Sequence, residues 1–274
     1  MVLTITNKMT TYPPQTTQRT ISAQVAGGYS PLSSEIEAMH HLGVNTSVDC
    51  SDSGVQYKAV INKIVLMYPF VGGTSNSCRV NFANPGTYDF TPVASPTFTK
   101  TQCTLNGSTQ YLNTNYTLSN TGDLSVISGM GIKRRGAGTG DTDATYGVAS
   151  SGNSYGIVRS DTNRQTFILS NRSDASTGSL AIAAIWSSGW SSTTTLVAYR
   201  NSSVLKTNTS LIIGNAGNKS VIIGAYNGGA GPVWGPAQPT ISLDFFWLRK
   251  EAWTDAEEIS LHNAVSYLTA RLAR

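Results

Sequence analysis

Short hydrophobic runs alternate with clusters of turn-forming residues along most of this chain, from Tyr68 onward. Such runs match the length of β-strands, and the Gly, Asn, Ser and Asp residues between them favour tight turns. Charged residues make up only 12% of the 274 residues, and 26 residues are glycine. This spacing predicts a mainly β protein of the sandwich or jelly-roll type. The runs begin at Ser125, Tyr155, Thr166, Leu180, Thr194, Leu211, Val221 and Ser242.

The C-terminus predicts a last strand followed by a capped helix, and an upstream segment predicts a hairpin. Residues 241–250 form the strand, and Thr254 and Glu257 form a capping-box pair that can satisfy backbone N–H groups at the helix start. Arg200-Asn-Ser-Ser203 separates two hydrophobic runs and reads as a hairpin turn. Along the predicted helix, apolar residues recur on one face, namely Leu261, Val265, Leu268 and Leu272.

The first 67 residues lack the strand pattern and predict an arm with two short helices. Residues 1–32 carry turn and extended-chain signals with little periodicity. We predict one helix at residues 33–42 and a second at 55–67, which has a broad apolar face and Asp52 or Ser53 as its N-cap. We therefore divide the chain into an attachment or oligomerisation arm (1–67) and a jelly-roll domain with its C-terminal helix (68–274).

Two parts of the sequence resemble known families. The last strand and the turn Thr254-Asp-Ala-Glu-Glu-Ile259 resemble the end of concanavalin A-like jelly rolls of the laminin-G type. Upstream segments are similar to structural proteins of tailed bacteriophages; they are Tyr68-Pro-Phe-Val-Gly-Gly-Thr74, Ser95-Pro-Thr-Phe-Thr99 and Asn106-Gly-Ser-Thr-Gln-Tyr-Leu-Asn-Thr-Asn115. The resemblance implies a concanavalin A-like jelly-roll β-sandwich and a role as a head or tail fibre or a capsid decoration.

Cysteine usage and the N-terminus predict a protein made in a reducing cytoplasm, and the resemblance to phage structural proteins implies that the host cytoplasm makes it and that it is then built into a virion. The three cysteines Cys50, Cys78 and Cys103 are odd in number and lack C-x-x-C spacing, which disfavours a disulfide framework or a zinc site. The first residues lack the basic and apolar regions of a signal peptide, so we expect none. Unpaired thiols fit synthesis in a reducing compartment.

Charge and hydropathy argue against two kinds of partner, nucleic acids and membranes. The formal net charge of +4 is small, and the densest basic spot, Lys133-Arg134-Arg135, is not a stripe, so we expect no nucleic-acid binding. No apolar run approaches the ~18 residues that suggest a transmembrane helix, so we expect no membrane span. The resemblance to phage structural proteins implies other virion proteins and a host-surface or environmental glycan as partners. We also expect a homo-oligomer, a trimer as in many phage fibres.

The acidic residues argue against a glycan hydrolase. Related glucanases use a pair of carboxylates, placed as Glu-x-Asp-x-x-Glu on one strand. The chain has five glutamates, and none lies between Glu37 and Glu251, which spans nearly the whole sandwich. His262 lies on the predicted terminal helix, where a surface or packing role is favoured, and no Ser-His-Asp motif is apparent. We therefore expect no enzymatic activity.

Aromatic residues in polar, Gly-rich segments are the candidate glycan-binding residues. Aromatic rings stack on sugar rings, and amides supply hydrogen bonds. The alternative for each tryptophan is a core position or a role in a loop or subunit interface, and it stays open. The candidates are Trp186, Trp190, Tyr226, Asn227 and Trp234.

The segment Gly136-Ala-Gly-Thr-Gly-Asp-Thr-Asp143 lacks the Gly-Lys-Ser/Thr ending of a phosphate loop and reads as a hairpin loop. The resemblance to laminin-G-type domains, some of which bind calcium, makes Asp141 and Asp143 candidate calcium ligands, although two carboxylates supply only part of the six to eight oxygen ligands that calcium takes. No other cofactor is expected.

The sequence thus predicts a non-enzymatic bacteriophage virion protein with a lectin-like domain for attachment to a glycan or host surface. A cellular or secreted carbohydrate-binding lectin is the alternative, and a glycan hydrolase is a third, less favoured class.

Overall fold

The structure, a computed structural model, contains two β-sheets that pack face to face. Two short strands, β1 (Val48–Cys50) and β2 (Val55–Tyr57), form a separate antiparallel pair. The described residues are 25, 48–50, 55–57, 63–70, 73–118, 129–135, 143–144, 146–150, 153–161, 164–170, 173–177, 184–192, 194–209, 219–227, 232–233 and 240–271.

Within these ranges, eight strands form one sheet, called here the eight-stranded sheet. Its order is β16-β15-β14-β8-β20-β6-β5, with β3 also paired to β20. All of its pairs are antiparallel. The strands are β3 (Ile64–Tyr68), β5 (Thr97–Thr99), β6 (Gln102–Leu105), β8 (Gly129–Arg135), β14 (Ala184–Trp190), β15 (Leu196–Arg200), β16 (Ser203–Asn208) and β20 (Ile241–Arg249).

The second sheet has ten strands among the described residues, and its main order is β13-β12-β11-β10-β17-β7-β4. Strands β9 and β18 attach to β11 and β10, and β19 pairs with β18. The strands are β4 (Thr91–Val93), β7 (Tyr111–Leu118), β9 (Asp143–Ala144), β10 (Tyr146–Ser150), β11 (Asn153–Asp161), β12 (Arg164–Ser170), β13 (Ser173–Thr177), β17 (Lys219–Ile223), β18 (Tyr226–Asn227) and β19 (Pro232–Val233).

The C-terminal strand β20 lies in the middle of the eight-stranded sheet. It pairs with β8 along most of its length, with β6 at its start and with β3 at its end. Its side chains alternate: Phe246 and Leu248 point into the core, whereas Trp247 and Arg249 occupy the opposite face. Both faces are buried, because a helix described below covers the second one.

The core lies between the two sheets and is apolar. At its centre the Tyr68 ring stacks on Phe246 with 6.2 Å between ring centroids and meets Phe90 edge-on at 5.2 Å. Aromatic pairs in these arrangements add to the stabilisation from buried area. Both sheets contribute fully buried residues, including Leu66, Leu105, Leu112, Ile132, Val221, Ile223, Leu243 and Leu248.

Two helices are present among the described residues. Helix α1 (Ser75–Cys78) is one turn long, and Thr74 and Ser77 close its N-terminus reciprocally. Helix α2 (Asp255–Arg271) follows β20. Its capping box is formed as predicted: the Thr254 N–H donates to Glu257 Oε2 at 2.9 Å, and the Glu257 N–H donates to Thr254 Oγ1 at 3.3 Å.

Three further sequence predictions are confirmed. The protein is a mainly β sandwich, and the strand expected at residues 241–250 is β20. Arg200-Asn-Ser-Ser203 joins β15 to β16 in a hairpin, with Asn201 and Ser202 at φ of 46° and 67°. Left-handed values at both central positions match the twist of a two-residue hairpin turn.

The helix predicted at residues 55–67 is wrong, because two strands occupy this segment. Val55–Tyr57 is β2, and Ile64–Tyr68 is β3, which pairs with β20. The run Ile64-Val-Leu-Met-Tyr68 is apolar on both sides of a strand, and pairing inside a covered sheet buries both sides. This tertiary pairing decides the conformation over the helical spacing. The sandwich therefore already includes Ile64.

Other predictions fall outside the described residues. They are the helix at residues 33–42, the strands at 125–128 and 211–213, and the N-cap at Asp52 or Ser53. The division of the chain into an arm and a jelly-roll domain stays a prediction.

Glycines on β8 allow the large side chains of β20 to lie flat on the sheet. Gly131 is paired with Trp247, and a Cβ atom at Gly131 would lie 1.9 Å from Trp247 Cζ2. At Gly129 a Cβ atom would lie 2.7 Å from Arg249 Nε. Both distances are far below van der Waals contact, so this pairing requires glycine at the two positions.

We expect Gly131→Ala to lower the free energy of unfolding by about 2 to 3 kcal/mol, because the fully buried Trp247 must move. Urea unfolding measures the change. The control is Gly86→Ala: nothing lies within 4 Å of its Cβ position, and its φ of 86° leaves a backbone penalty of only about 1 kcal/mol. Equal losses for the two variants would contradict the steric explanation.

Candidate functional site

Helix α2 covers the outer face of the eight-stranded sheet. Leu261 and Val265, two members of its predicted apolar face, are fully buried. At the start of the helix, the Tyr199 hydroxyl on β15 donates to Asp255 Oδ1 at 2.6 Å. Lys63 Nζ, next to β3, lies 2.6 Å from Glu257 Oε1. The helix is therefore anchored to both sides of the sheet.

A buried ion pair lies between the helix and β20. Arg249 Nε is 2.9 Å from Glu258 Oε2, and the two side chains are 1% and 0% exposed. The guanidinium also lies over the Trp253 ring, 4.7 Å from its centroid. Burial lowers the pKa of Arg249, and the nearby Glu258 carboxylate opposes this shift. Each charge thus depends on the other for compensation in a site that excludes water.

His262 joins the helix to two strands and their hairpin. Its Nδ1 accepts the backbone N–H of Ser202 at 3.0 Å, so the proton of the neutral ring is on Nε2. Nε2 then donates to Ser187 Oγ at 2.7 Å, and Glu258 Oε1 lies 3.7 Å away. Burial lowers the pKa of His262 to about 4, whereas Glu258 acts in the opposite direction. The ring is therefore neutral at pH 7.

Ser187, His262 and Glu258 combine the residue types of a hydrolase triad, but their geometry does not fit one. A nucleophilic serine needs a histidine nitrogen that can accept its proton. Here Nδ1 is occupied by the Ser202 N–H, and Nε2 already carries the proton. The three side chains are also 0% exposed, so no substrate reaches them. The cluster fits a packing role, one of the two roles predicted for His262, and the burial of its side chain argues against the surface role.

A second ionic group lies further along the same sheet. Asp244, which is 1% exposed, lies 2.8 Å from Arg135 Nε and 3.9 Å from Lys133 Nζ. Lys133 also donates to Thr269 Oγ1 on helix α2. The basic residues of the predicted Lys133-Arg134-Arg135 spot are thus engaged in fold contacts, with Arg134 only 5% exposed.

The structure places the predicted glycan-binding residues on different sheets. Trp186 and Trp190 are on β14 of the eight-stranded sheet, where they pair with Arg200 and Leu196. Tyr226 and Asn227 form β18 of the ten-stranded sheet. Trp234 lies outside the described residues. The backbone therefore does not gather these residues on one strand pair, and their role stays a prediction.

The calcium candidates are described only in part. Asp143 lies on β9, paired with Ser160, and Asp141 is outside the described residues. Among the residues that the structure describes, no group of three or more His, Cys, Asp or Glu side chains could hold a metal ion. Neither described helix combines the length and hydropathy needed to cross a membrane.

The sequence did not single out Ser187, Arg249 or Glu258 as a group. They lie on β14, β20 and α2, and only their fold brings them together. The sequence signal that was available is the spacing Glu258–His262, one helical turn, on a helix whose cap was recognised. It also did not single out Tyr88, which is 40% exposed at the surface.

Comparison with known proteins gives structural matches only. No protein-family model matches the chain, and no curated protein sequence matches it. The binding domain of botulinum neurotoxin DC, solved in complex with rat synaptotagmin II, matches with a TM-score of 0.53 at 10% identity, over 75% of this chain and 52% of that chain. The binding domain of Paraclostridial Mosquitocidal Protein 1 matches with a TM-score of 0.55 at 10% identity, over 75% and 53%.

The fold is a jelly-roll-like β-sandwich. A mutant of Trypanosoma rangeli sialidase displaying trans-sialidase activity also matches, with a TM-score of 0.60 at 12% identity, over 86% of this chain and 38% of that chain. The chain spans about half the length of the toxin chains. At these identities the likeness concerns the fold alone, and the β-sandwich is common to all three.

We expect Glu258→Gln to lower the free energy of unfolding by about 3 to 5 kcal/mol, because it leaves the buried Arg249 charge without a carboxylate. Replacing both partners, Arg249→Met with Glu258→Leu, should cost less than the single change. The control Glu257→Gln alters the partly exposed ion pair with Lys63 and should cost about 1 kcal/mol. Urea unfolding distinguishes the three; a double variant as unstable as Glu258→Gln would contradict the argument.

We expect stability to fall as the pH is lowered from about 6.5 towards 4, because the unfolded state binds a proton at His262 that the native state rejects. The contribution is complete above the unfolded pKa and declines by about 2 kcal/mol between pH 7 and pH 5. Urea unfolding at both pH values, for the wild type and for His262→Gln, measures this. The same decline in both proteins would show that His262 is not the titrating group.

Proposed function

We propose that this protein is a glycan-binding β-sandwich module without enzymatic activity, and that it serves as an attachment component of a bacteriophage virion. The observation that carries the binding proposal is the fold. Matched toxin structures of the same fold are described as a complex with SialylT and as binding two ganglioside molecules during cell entry. A sandwich that presents loops at its ends is a common support for glycan recognition.

Two observations support the proposed absence of catalysis. No glutamate lies between Glu37 and Glu251, so the sandwich strands lack the paired glutamates that related glucanases use. Within the described residues the one histidine is His262, and both of its ring nitrogens are hydrogen-bonded, Nδ1 to the Ser202 N–H and Nε2 to the Ser187 hydroxyl. A general base needs a free nitrogen within reach of a substrate proton.

The virion role rests on the sequence resemblance to tailed-bacteriophage structural proteins. In this proposal the residues before Ile64 attach the protein to other virion proteins and hold a homotrimer, and the sandwich faces outward. Exposed strand edges need a cover, and β16 is an outer strand of its sheet with Val204 43% exposed. A neighbouring subunit would supply such a cover.

A cellular or secreted lectin is the second candidate, because the same fold and the same binding chemistry serve both. A glycan hydrolase is the third, and the likeness to a sialidase mutant is the observation that favours it.

We expect the purified protein to bind at least one polysaccharide in a panel of β-glucans and bacterial surface polysaccharides, and to release no reducing ends from any of them. Binding is measured by interferometry on immobilised polysaccharide, and hydrolysis by a reducing-end assay on the same samples. Release of reducing ends by the wild type would contradict the proposal.

The virion role has its own readout in the same preparation. A solution mass near three times the 29.1 kDa chain, and the presence of the chain in proteomics of purified particles, are the expected results. A monomer that is absent from particles yet binds glycan would favour the lectin alternative.

A further inference from the structure

One exposed tyrosine is held rigidly at the rim of the sandwich. Tyr88 lies between α1 and β4, and its side chain is 40% exposed. Among the described residues, three large hydrophobic side chains are exposed, those of Val25, Tyr88 and Val204, and Tyr88 is the aromatic one. Tyrosine is enriched at interfaces, because its ring offers a large apolar face beside a polar hydroxyl group.

The backbone of Tyr88 is in an unusual conformation. Its φ of 59° is in the left-handed region, which bulky residues rarely adopt. Neighbouring contacts impose it. The buried Tyr68 hydroxyl donates to the Tyr88 carbonyl, and Asp89 Oδ1 accepts the N–H groups of Asn81 at 2.9 Å and Gly86 at 3.2 Å. Residues kept in such conformations cluster at ligand sites.

The Tyr88 ring also has a fixed position. It meets the Tyr116 ring edge-on, with 5.0 Å between centroids and an interplanar angle of 80°. Tyr116 is half-buried and packs against the core. The edge-on contact couples the surface ring to the core, so little side-chain freedom remains to be lost when a ligand stacks on it.

Two polar side chains adjacent in the chain to Tyr88 and Tyr116, those of Asp89 and Asn115, have unused hydrogen-bonding capacity. Asp89 Oδ1 is occupied, whereas Oδ2 makes no hydrogen bond within the described part of the chain. Asn115, also at φ 59°, donates through Nδ2 to the Asp89 carbonyl at 2.8 Å and to Thr91 Oγ1 at 3.1 Å. Its Oδ1 accepts no hydrogen bond from the described residues. Both side chains lie partly or fully at the surface.

We propose that Tyr88, Asp89 and Asn115, called here the Tyr88 rim, bind a neutral hexopyranose unit of a glycan. The apolar C–H face of the sugar stacks on the Tyr88 ring, and neighbouring sugar hydroxyls donate to Asp89 Oδ2 and Asn115 Oδ1. The Asp89 carboxylate repels a sugar acid, so a sialylated unit is disfavoured. This inference rests on the proposed glycan-binding function and assigns it to residues other than the candidates named from the sequence.

Calorimetric titration tests the ligand class on the full chain. The probes are cellotetraose, maltotetraose, chitotetraose, lactose and 3′-sialyllactose. We expect the wild type to bind at least one neutral probe, and to bind 3′-sialyllactose about tenfold or more weakly than the best neutral one. Preferential binding of 3′-sialyllactose would overturn the proposed class of ligand.

The matched variants test the site. Tyr88→Asn removes the ring but suits the left-handed backbone, because asparagine tolerates positive φ better than other side chains. We expect it to weaken the best neutral probe about tenfold or more, and Tyr88→Phe to retain the affinity because the stacking face is unchanged. Val204→Ala, on β16 at the edge of the eight-stranded sheet, should bind like the wild type, and Trp190→Ala tests the alternative site on β14. Thermal unfolding of each variant controls for folding.

The outcomes separate the site from the function. If the wild type binds a probe and Tyr88→Asn binds it equally well, or if only Trp190→Ala loses affinity, the Tyr88 rim is wrong and the glycan-binding function stands. If the wild type binds none of the probes, both the Tyr88 rim and the proposed glycan-binding function are contradicted. Should Tyr88→Asn unfold, the Tyr88 ring proton shifts of the wild type, followed by NMR during the same titration, decide: unchanged shifts would overturn the site.

Discussion

The Arg249–Glu258 ion pair is the contact on which the covered face of this sandwich depends. A helix that covers a sheet ordinarily does so with apolar side chains, whereas here two opposite charges lie in the buried interface between helix and sheet. Neither charge is tolerated there alone, so strand β20 and helix α2 are linked more specifically than by apolar packing. Gly129 contributes by leaving space for the guanidinium, and His262 extends the polar contacts to the β15–β16 hairpin.

Because α2 covers one face of the sandwich, fewer surfaces remain for ligand recognition. The outer face of the eight-stranded sheet beneath α2 is closed to a ligand, which leaves the loops at the ends, the ten-stranded sheet and the sheet edges. The segment from Asn81 to Thr91 is one such end, and its polar contacts are dense. Asn81 alone binds the backbone of Met67, Ala83, Val65 and Thr87. A loop held this firmly presents its side chains in a defined arrangement.

The sequence predicted those features that are local or periodic. The capping box at Thr254 and Glu257, the hairpin at Asn201 and Ser202, and the mainly β class each depend on residues close together in the chain. The apolar residues of the Ile64–Tyr68 strand satisfy both the helical and the strand period, and only the pairing of this strand with β20 decides between them. The contacts of His262 with Ser187, 75 residues away, and the support of Tyr88 by Tyr68 could not be read from spacing.

The position of β20 bears on how the chain reaches its native state. Its three partners, β3, β6 and β8, come from residues 64 to 135, so the eight-stranded sheet cannot close until residues 241–249 have been synthesised. Contacts over such sequence separations make folding slow. Until then the edges of β3, β6 and β8 that β20 will cover have no partner, and unpaired strand edges can associate with other nascent chains. The eight-stranded sheet can therefore be completed only when nearly the whole polypeptide has been made.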